Sequence, residues 1–405
     1  MPVVKNALDN AAMLGIRPGR LEVLENYLQK YFREDKRQAG IVKFCRYGTP
    51  VFEGFYGVST KEYGLKPDTI FRVASITKPV ISALLHILQE DGLVDLNDPV
   101  RRYLPEFEGG GREKIQVWHF LTHTSGIKED EVYSAVDEYI LKEFGLESPK
   151  DGSTHEDWQN YHRSVCQKMG LNPDAPQNDR LSDYGYVLSL KQPLLHAPRS
   201  HMTYCNYGYQ RLKNIIDAVT GEPIDTFARR VLFDPLAMPD TYWMLPENKW
   251  EKVLGRNERA RGYPWINSKE SFQDESGAGG IKSTVNDISN FMQMVLDKGV
   301  FNSNRILSKA SIIQMGMNHN AGVPGSEDAE WSSWGLGWNY KNVKKDDTGM
   351  LRSASSLDHG GWAGTKIMLD PEFNVTAALF TAEYEEPDVP PLYGPVINIF
   401  YSTLE

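Results

Sequence analysis

The stretch "FRVASITKPVISALLHILQEDG", residues 71–92, sets a serine, Ser75, one helical turn ahead of a lysine, Lys78. An apolar pattern begins there: Val80, Ile81, Leu84, Leu85 and Leu88 share one face, and Gly92 supplies a stop. Residues three apart on a helix lie on the same side, with Cβ atoms about 5–6 Å apart. The spacing therefore predicts a helix that offers a hydroxyl and an amine to one place. Pro79 disfavours helical geometry at Lys78 and lacks a donor, so the helix is expected to begin irregularly.

On either side of this stretch the texture changes. Upstream, "RLEVLENYLQKYFRED" repeats Leu21, Leu24, Leu28 and Phe32 at helical spacing, which predicts an amphipathic helix. Two β-like runs follow, "GIVKFCRYG" and "PVFEGFYGVS", with a turn expected at Gly48-Thr49-Pro50. Near the other end, "TKIMLDPEFNVTAALFTA" reads as two strands joined at Asp370-Pro371-Glu372, and "LYGPVINIFYSTL" as a closing helix. Between them, "RLKNIIDAVTG" and "STVNDISNFMQMVLDKG" read as helices that stop at Gly221 and Gly299, the second with a Thr284/Asp287 capping pattern. The expected class is α+β: residues 1–70 and 276–405 form a sheet domain built from both chain ends. Residues 71–275 form an inserted, mainly helical domain, with a loop-rich region at about 128–195 that carries Trp158 and Tyr161. That region reads equally as a cover over a pocket or as a surface excursion with its own aromatic cluster. A site is expected in the cleft between the two domains.

The chain has 405 residues, 40% hydrophobic and 24% charged, an ordinary globular composition with room for a large core. Its net charge of −10 argues against nucleic acid or an anionic membrane as partner. No apolar run approaches the ~18 residues of a membrane span. The N-terminal residues carry no secretory pattern, so a cytoplasmic location is expected. Three cysteines, Cys45, Cys166 and Cys205, are widely spaced and free of CxxC patterns, which fits reduced thiols.

A serine hydroxyl is a weak nucleophile until a base takes its proton. A lysine serves as that base when burial or nearby cations bring its pKa toward neutrality. Ser-x-x-Lys is common by chance, and alone it reads more readily as an N-cap serine with a surface lysine. Its surroundings carry more. The stretch 71–107, "LTHTSGI" (121–127), "MTYCNYGYQRLKNIIDAVTGEPIDTFARRVLFDPLAMPDT" (202–241), "GAGGIKSTVNDISNFM" (277–292), "WGLGWNY" (334–340) and "DHGGWAGT" (358–365) occur in one order. Together they resemble the serine β-lactamase and penicillin-recognising superfamily, most of all its class C-like branch with the family VIII carboxylesterases.

The resemblance implies a β-lactamase-like fold, with an antiparallel sheet flanked by terminal helices. It also implies a serine hydrolase that forms an acyl-enzyme without metal or organic cofactor. Ser75 is the implied nucleophile, Lys78 and Tyr204 the proton carriers, and the backbone N–H groups of Ser75 and Trp362 the oxyanion hole. A donor of that kind is worth about 3–4 kcal/mol in the transition state. Asn206, His359, Gly360 and Gly361 are implied to line the substrate side. Two departures stand out. His359-Gly360-Gly361 replaces the Lys-Thr-Gly usual in β-lactamases, and Pro198-Arg199 replaces a Pro-Gly, which leaves that turn open. The expected substrate is a small-molecule ester or amide, foremost a small to medium carboxylic ester. The alternatives are a D-amino-acid amide or peptide, weak β-lactamase action, or an inert binding module. His119 and His123 have metal-pair spacing but no HExxH or third ligand, so packing or capping beside the "LTHTSG" turn is expected. His86 reads as a core histidine, and Cys205 as pointing away from the pocket.

Overall fold

A computed structural model describes residues 13–34, 36–150, 153–175, 179–325, 332–384 and 391–405. Helix α1 (Pro18–Arg33) buries Leu21, Leu24, Leu28 and Phe32, the stripe its periodicity predicts. Strands β1 (Ala39–Arg46) and β2 (Thr49–Gly57) form a hairpin. The reversal falls on Tyr47 and Gly48, both with positive φ (51° and 74°), one residue earlier than the Gly-Thr-Pro signal implies. Paired positive φ angles match the twist of antiparallel strands, and Pro50 already pairs with Cys45 inside β2.

Helix α2 (Thr77–Glu90) follows a single 3₁₀ turn, Ala74–Ile76, so the irregular start expected from Pro79 is present. Residues 128–195 differ from the loop-rich expectation. They carry three helices, α3 (Glu129–Phe144), α4 (His155–Met169) and α5 (Tyr184–Ser189). Val136, Ile140, Tyr161, Val165 and Leu188 form a small core of their own, and the Trp158 and Tyr184 rings meet Tyr161 edge-on. The apolar stripe of α3 is only one residue wide per turn, Val132, Val136 and Ile140, within a run of charged residues. Periodicity therefore signals it poorly. Residues 151–152 and 176–178, inside the two breaker segments, lie outside the described residues.

Helix α6 (Asn206–Thr220) ends at Gly221, left-handed with φ 67°, as its sequence predicts. Helix α7 (Val285–Leu296) begins at Thr284, whose side chain accepts from the Asp287 amide. The other strands of the large sheet are β3 (Asn339–Tyr340), β4 (Leu357–Gly361), β5 (Thr365–Asp370) and β6 (Val375–Thr381), and α8 (Tyr393–Tyr401) follows them near the end of the chain.

All six of these strands join one antiparallel sheet in the order β2-β1-β6-β5-β4-β3, so the two ends of the chain meet where β1 pairs with β6. The sheet is buried on both faces. Val42, Phe44, Val375, Ala377 and Leu379 face α1 and α8. Ile41, Ile367, Leu369, Ala378 and Phe380 face α7 and the helical core that contains α2 and α6. That alternation is the period of a pleated strand. It sets the edge of β4 beside the turn that carries Ser75. Among the described residues, no helix is long and apolar enough to cross a membrane.

Candidate active site

Ser75 sits in the 3₁₀ turn at the head of α2, partly open to solvent. The residue before it, Ala74, has φ +49°. A non-glycine residue there costs about 1–3 kcal/mol and persists only where its neighbours hold it. They do so from three sides. The Val73 amide donates to Ile281 O (3.1 Å), the Thr365 hydroxyl donates to Val73 O (2.9 Å), and the Ile281 amide donates to Thr77 Oγ1 (3.1 Å).

Lys78 is fully buried, with Nζ 2.9 Å from Ser75 Oγ, 2.8 Å from Asn206 Oδ1 and 2.9 Å from Ala278 O. Loss of water pushes its pKa down to about 7, against a smaller upward pull from the Glu129 carboxylate. Once neutral, the amine has two N–H bonds and one lone pair. Asn206 Oδ1 and Ala278 O take the two N–H bonds, and the lone pair is left for the Ser75 hydroxyl. Lys282 is also pushed down to about 7 by burial, but its Nζ donates to Trp243 O and Asp274 O.

Tyr204 reaches the same place from the segment before α6. Lys78 Nζ lies 4.9 Å from its ring centroid, and the phenol faces the Ser75 hydroxyl. Desolvation raises the phenol's pKa while Ser75 pulls it back. With 42% of the residue's surface open, water moderates the rise. Asn206, at the start of α6, is exposed except where it holds Lys78. Arg199, at the place where the resemblance leads one to expect glycine, adopts the left-handed φ (+67°), and its amide donates to Thr124 O (2.7 Å). The turn keeps the form that glycine favours.

Strand β4 forms the opposite wall. A Cβ on Gly361 would meet Val73 O at 2.3 Å and Ala74 Cβ at 3.2 Å, so the strand end abuts the nucleophile turn directly. Trp362 follows, and its amide donates to no backbone acceptor among the described residues. Gly360 faces the other way, toward Lys366. His359 is 3% exposed, and its ring touches Tyr204 and Trp334 at centroid distances of 6.5 and 5.7 Å. Burial, and then the charge of Lys78, push its pKa down to about 3, so it is neutral at physiological pH. It adjoins Tyr204 and Trp334 through its ring and brings no cation.

The structure thus brings Ser75, Lys78, Tyr204, Asn206, His359, Gly361 and Trp362 together. It also adds groups that sequence reasoning left out. Glu129, the first residue of α3, accepts from the Asn206 amide (2.5 Å) and the Tyr207 amide (3.2 Å). Trp334 packs edge-on against Tyr204 (6.0 Å). His123, expected to pack or cap, accepts the Cys205 amide at Nδ1 (3.0 Å). His119 Nδ1 accepts the Gln116 amide (2.9 Å), and His86 Nδ1 lies 2.7 Å from Ser82 O. Cys205 is buried in the main hydrophobic core.

A hydroxyl, an amine and a phenol that converge beside a backbone donor form an acyl-transfer constellation, and the sheet with its flanking helices is the matching scaffold. The family described as Beta-lactamase matches residues 24–393, and the chain belongs to that serine hydrolase family, within the penicillin-recognising superfamily. The N-acetylmuramyl-L-alanine amidase of Bacillus subtilis (strain 168) is 23% identical over 88% of this chain and 83% of its own. The esterase EstB of Burkholderia gladioli is 23% identical over 88% of this chain and 89% of its own. In structure, a penicillin-binding protein homologue from Caulobacter crescentus superposes with a TM-score of 0.69 at 19% identity, covering 96% of this chain and 99% of its own.

Proposed function

We propose that the protein hydrolyses small to medium carboxylic esters through an acyl-enzyme on Ser75. The observation that carries this is the coordination of Lys78: two pure acceptors lie within hydrogen-bond reach of Nζ, and Ser75 Oγ is the third neighbour at 2.9 Å, the one left to face the lone pair when the amine is neutral. Lys78 takes the hydroxyl proton as Ser75 Oγ attacks the ester carbonyl. The tetrahedral oxyanion receives hydrogen bonds from the Ser75 and Trp362 amides. Tyr204 relays the proton to the departing alcohol, the C–O bond breaks, and the acyl group remains on Ser75. Water then attacks the acyl carbon as Lys78 and Tyr204 take its proton, the bond between the acyl carbon and Ser75 Oγ breaks, Oγ recovers that proton, and the carboxylic acid leaves.

Ester preference is supported by what β4 lacks. The neutral His359 offers no positive charge where β-lactamases of this family carry a lysine to hold a carboxylate, so an uncharged substrate loses nothing there. Similarity to an esterase agrees with this reading. Similarity to an amidase keeps hydrolysis of a D-amino-acid amide or peptide as the second reading. Turnover of a short-chain chromogenic ester, a cephalosporin and a D-alanyl amide decides between them. The ester is expected to be turned over fastest, and Ser75→Ala to abolish that turnover. Equal ester turnover by wild type and Ser75→Ala refutes the proposal.

A further inference from the structure

Tyr204 lies in an irregular segment rather than in a helix or strand. The residue is 42% exposed, and no backbone ladder fixes it. A proton carrier in such a place needs its orientation supplied from outside. His123 meets this segment at three points. Its carbonyl oxygen accepts the Thr203 amide (2.8 Å), its Nδ1 accepts the Cys205 amide (3.0 Å), and its ring stacks on the Tyr204 ring with centroids 4.3 Å apart at 28°. The amides on either side of Tyr204 and the ring between them are thus held by one residue.

The cost of this arrangement is visible. His123 has φ +59°, a left-handed conformation that is uncommon outside glycine and costs about 1–3 kcal/mol. It is only 2% exposed, boxed in by Tyr209 (5.2 Å) and Trp334 (5.0 Å). Accepting at Nδ1 requires the neutral ring with its proton on Nε2. Burial and the nearby Lys78 keep His123 neutral by pushing its pKa well below the usual value. A neutral, enclosed histidine that holds both flanking amides and the ring of one short segment is placed to orient that segment.

We propose that His123 is a positioning residue that clamps Tyr204 in the orientation needed for proton transfer. This rests on the role proposed above for Tyr204.

The test is a double-mutant cycle on ester hydrolysis, with folding followed by thermal melting. Tyr204→Phe is expected to lower kcat by about 10²–10³-fold. His123→Gly tolerates the positive φ but removes ring and acceptor. It is expected to lower kcat by at least about tenfold, with KM changed less than about threefold. Because both act through one phenol, His123→Gly adds little to a Tyr204→Phe background. His123→Asn also accepts the left-handed backbone, and it restores an acceptor for Cys205 without the stack. It is expected to recover part of the lost kcat. If the glycine variant does not fold, the same cycle run with asparagine carries the test. A loss from His123 substitution that is as large in the Tyr204→Phe background as in wild type overturns the clamp and leaves the role of Tyr204 standing. A Tyr204→Phe variant with wild-type kcat overturns both.

Discussion

Lys78 shows how one side chain acquires a chemical role from its surroundings. A lysine in water is protonated at neutral pH and cannot take a proton. Complete burial brings this one down to about 7, where half the molecules hold the free base. A base acts only when deprotonated, so kcat/KM for an ester is expected to rise with pH through about 7 and then level off. Glu129 opposes the shift by favouring the ammonium form. Glu129→Gln removes that charge and keeps an amide oxygen for the Asn206 and Tyr207 amides, so the acidic limb is expected to move to lower pH. Profiles of kcat/KM against pH for the two proteins check the sign, and a limb that stays in place or moves upward contradicts the assignment. The pair Ser75 and Lys78 was legible as a spacing, and Tyr204 and Asn206 as a motif. Glu129 was not, because nothing local distinguishes it from Asp130 and Glu131 in the same acidic run.

At the scale of elements, the end of β4 and the head of α2 act as one unit. Gly361 has no room for a side chain, since its Cβ would lie 2.3 Å from Val73 O and 2.4 Å from Thr365 Oγ1. Gly360, one residue earlier, would meet Lys366 Cδ at 3.6 Å, an ordinary contact. Gly361→Ala is therefore expected to push the strand off the turn, displace the Trp362 amide and lower kcat by about 10²-fold or more. Gly360→Ala should stay within about threefold of wild type. Steady-state kinetics of the two variants test this, and equal losses would show that the close approach is unimportant. On its outer face β4 is held by a buried ion network. Asp358 lies 2.6 Å from Arg352 and 3.1 Å from Lys366, and those cations keep its carboxyl well below the usual carboxylate range, against the desolvation that acts the other way. The helical and strand periodicities of α1, α2, α6, α7, β5 and β6 were readable because each carries a wide apolar face. Helices α3–α5 were not, because each contributes only a few residues to a core that exists only once all three have assembled.

Across the whole molecule, the sheet separates stability from chemistry. The face beneath α1 and α8 lies opposite the helical core that carries Ser75, and its packing includes Phe400 stacked on Phe44, with centroids 4.0 Å apart at 8°. Phe400→Ala is expected to cost about 3–5 kcal/mol in denaturant unfolding, while kcat per folded molecule stays near wild type. A large loss of kcat without loss of stability would show that the two faces are coupled. The sequence by itself determined the class of fold, the main elements and the residues that carry the reactive groups, because apolar periodicity and short motifs are local properties of a chain. Only the tertiary structure decided that β1 pairs with β6 and that Lys78 is stripped of water. The same holds for His123, which grips Tyr204 from 81 residues earlier in the chain. Burial, pKa and clamping depend on which distant segments meet, and that is settled by packing of the assembled chain rather than by any run of neighbouring residues.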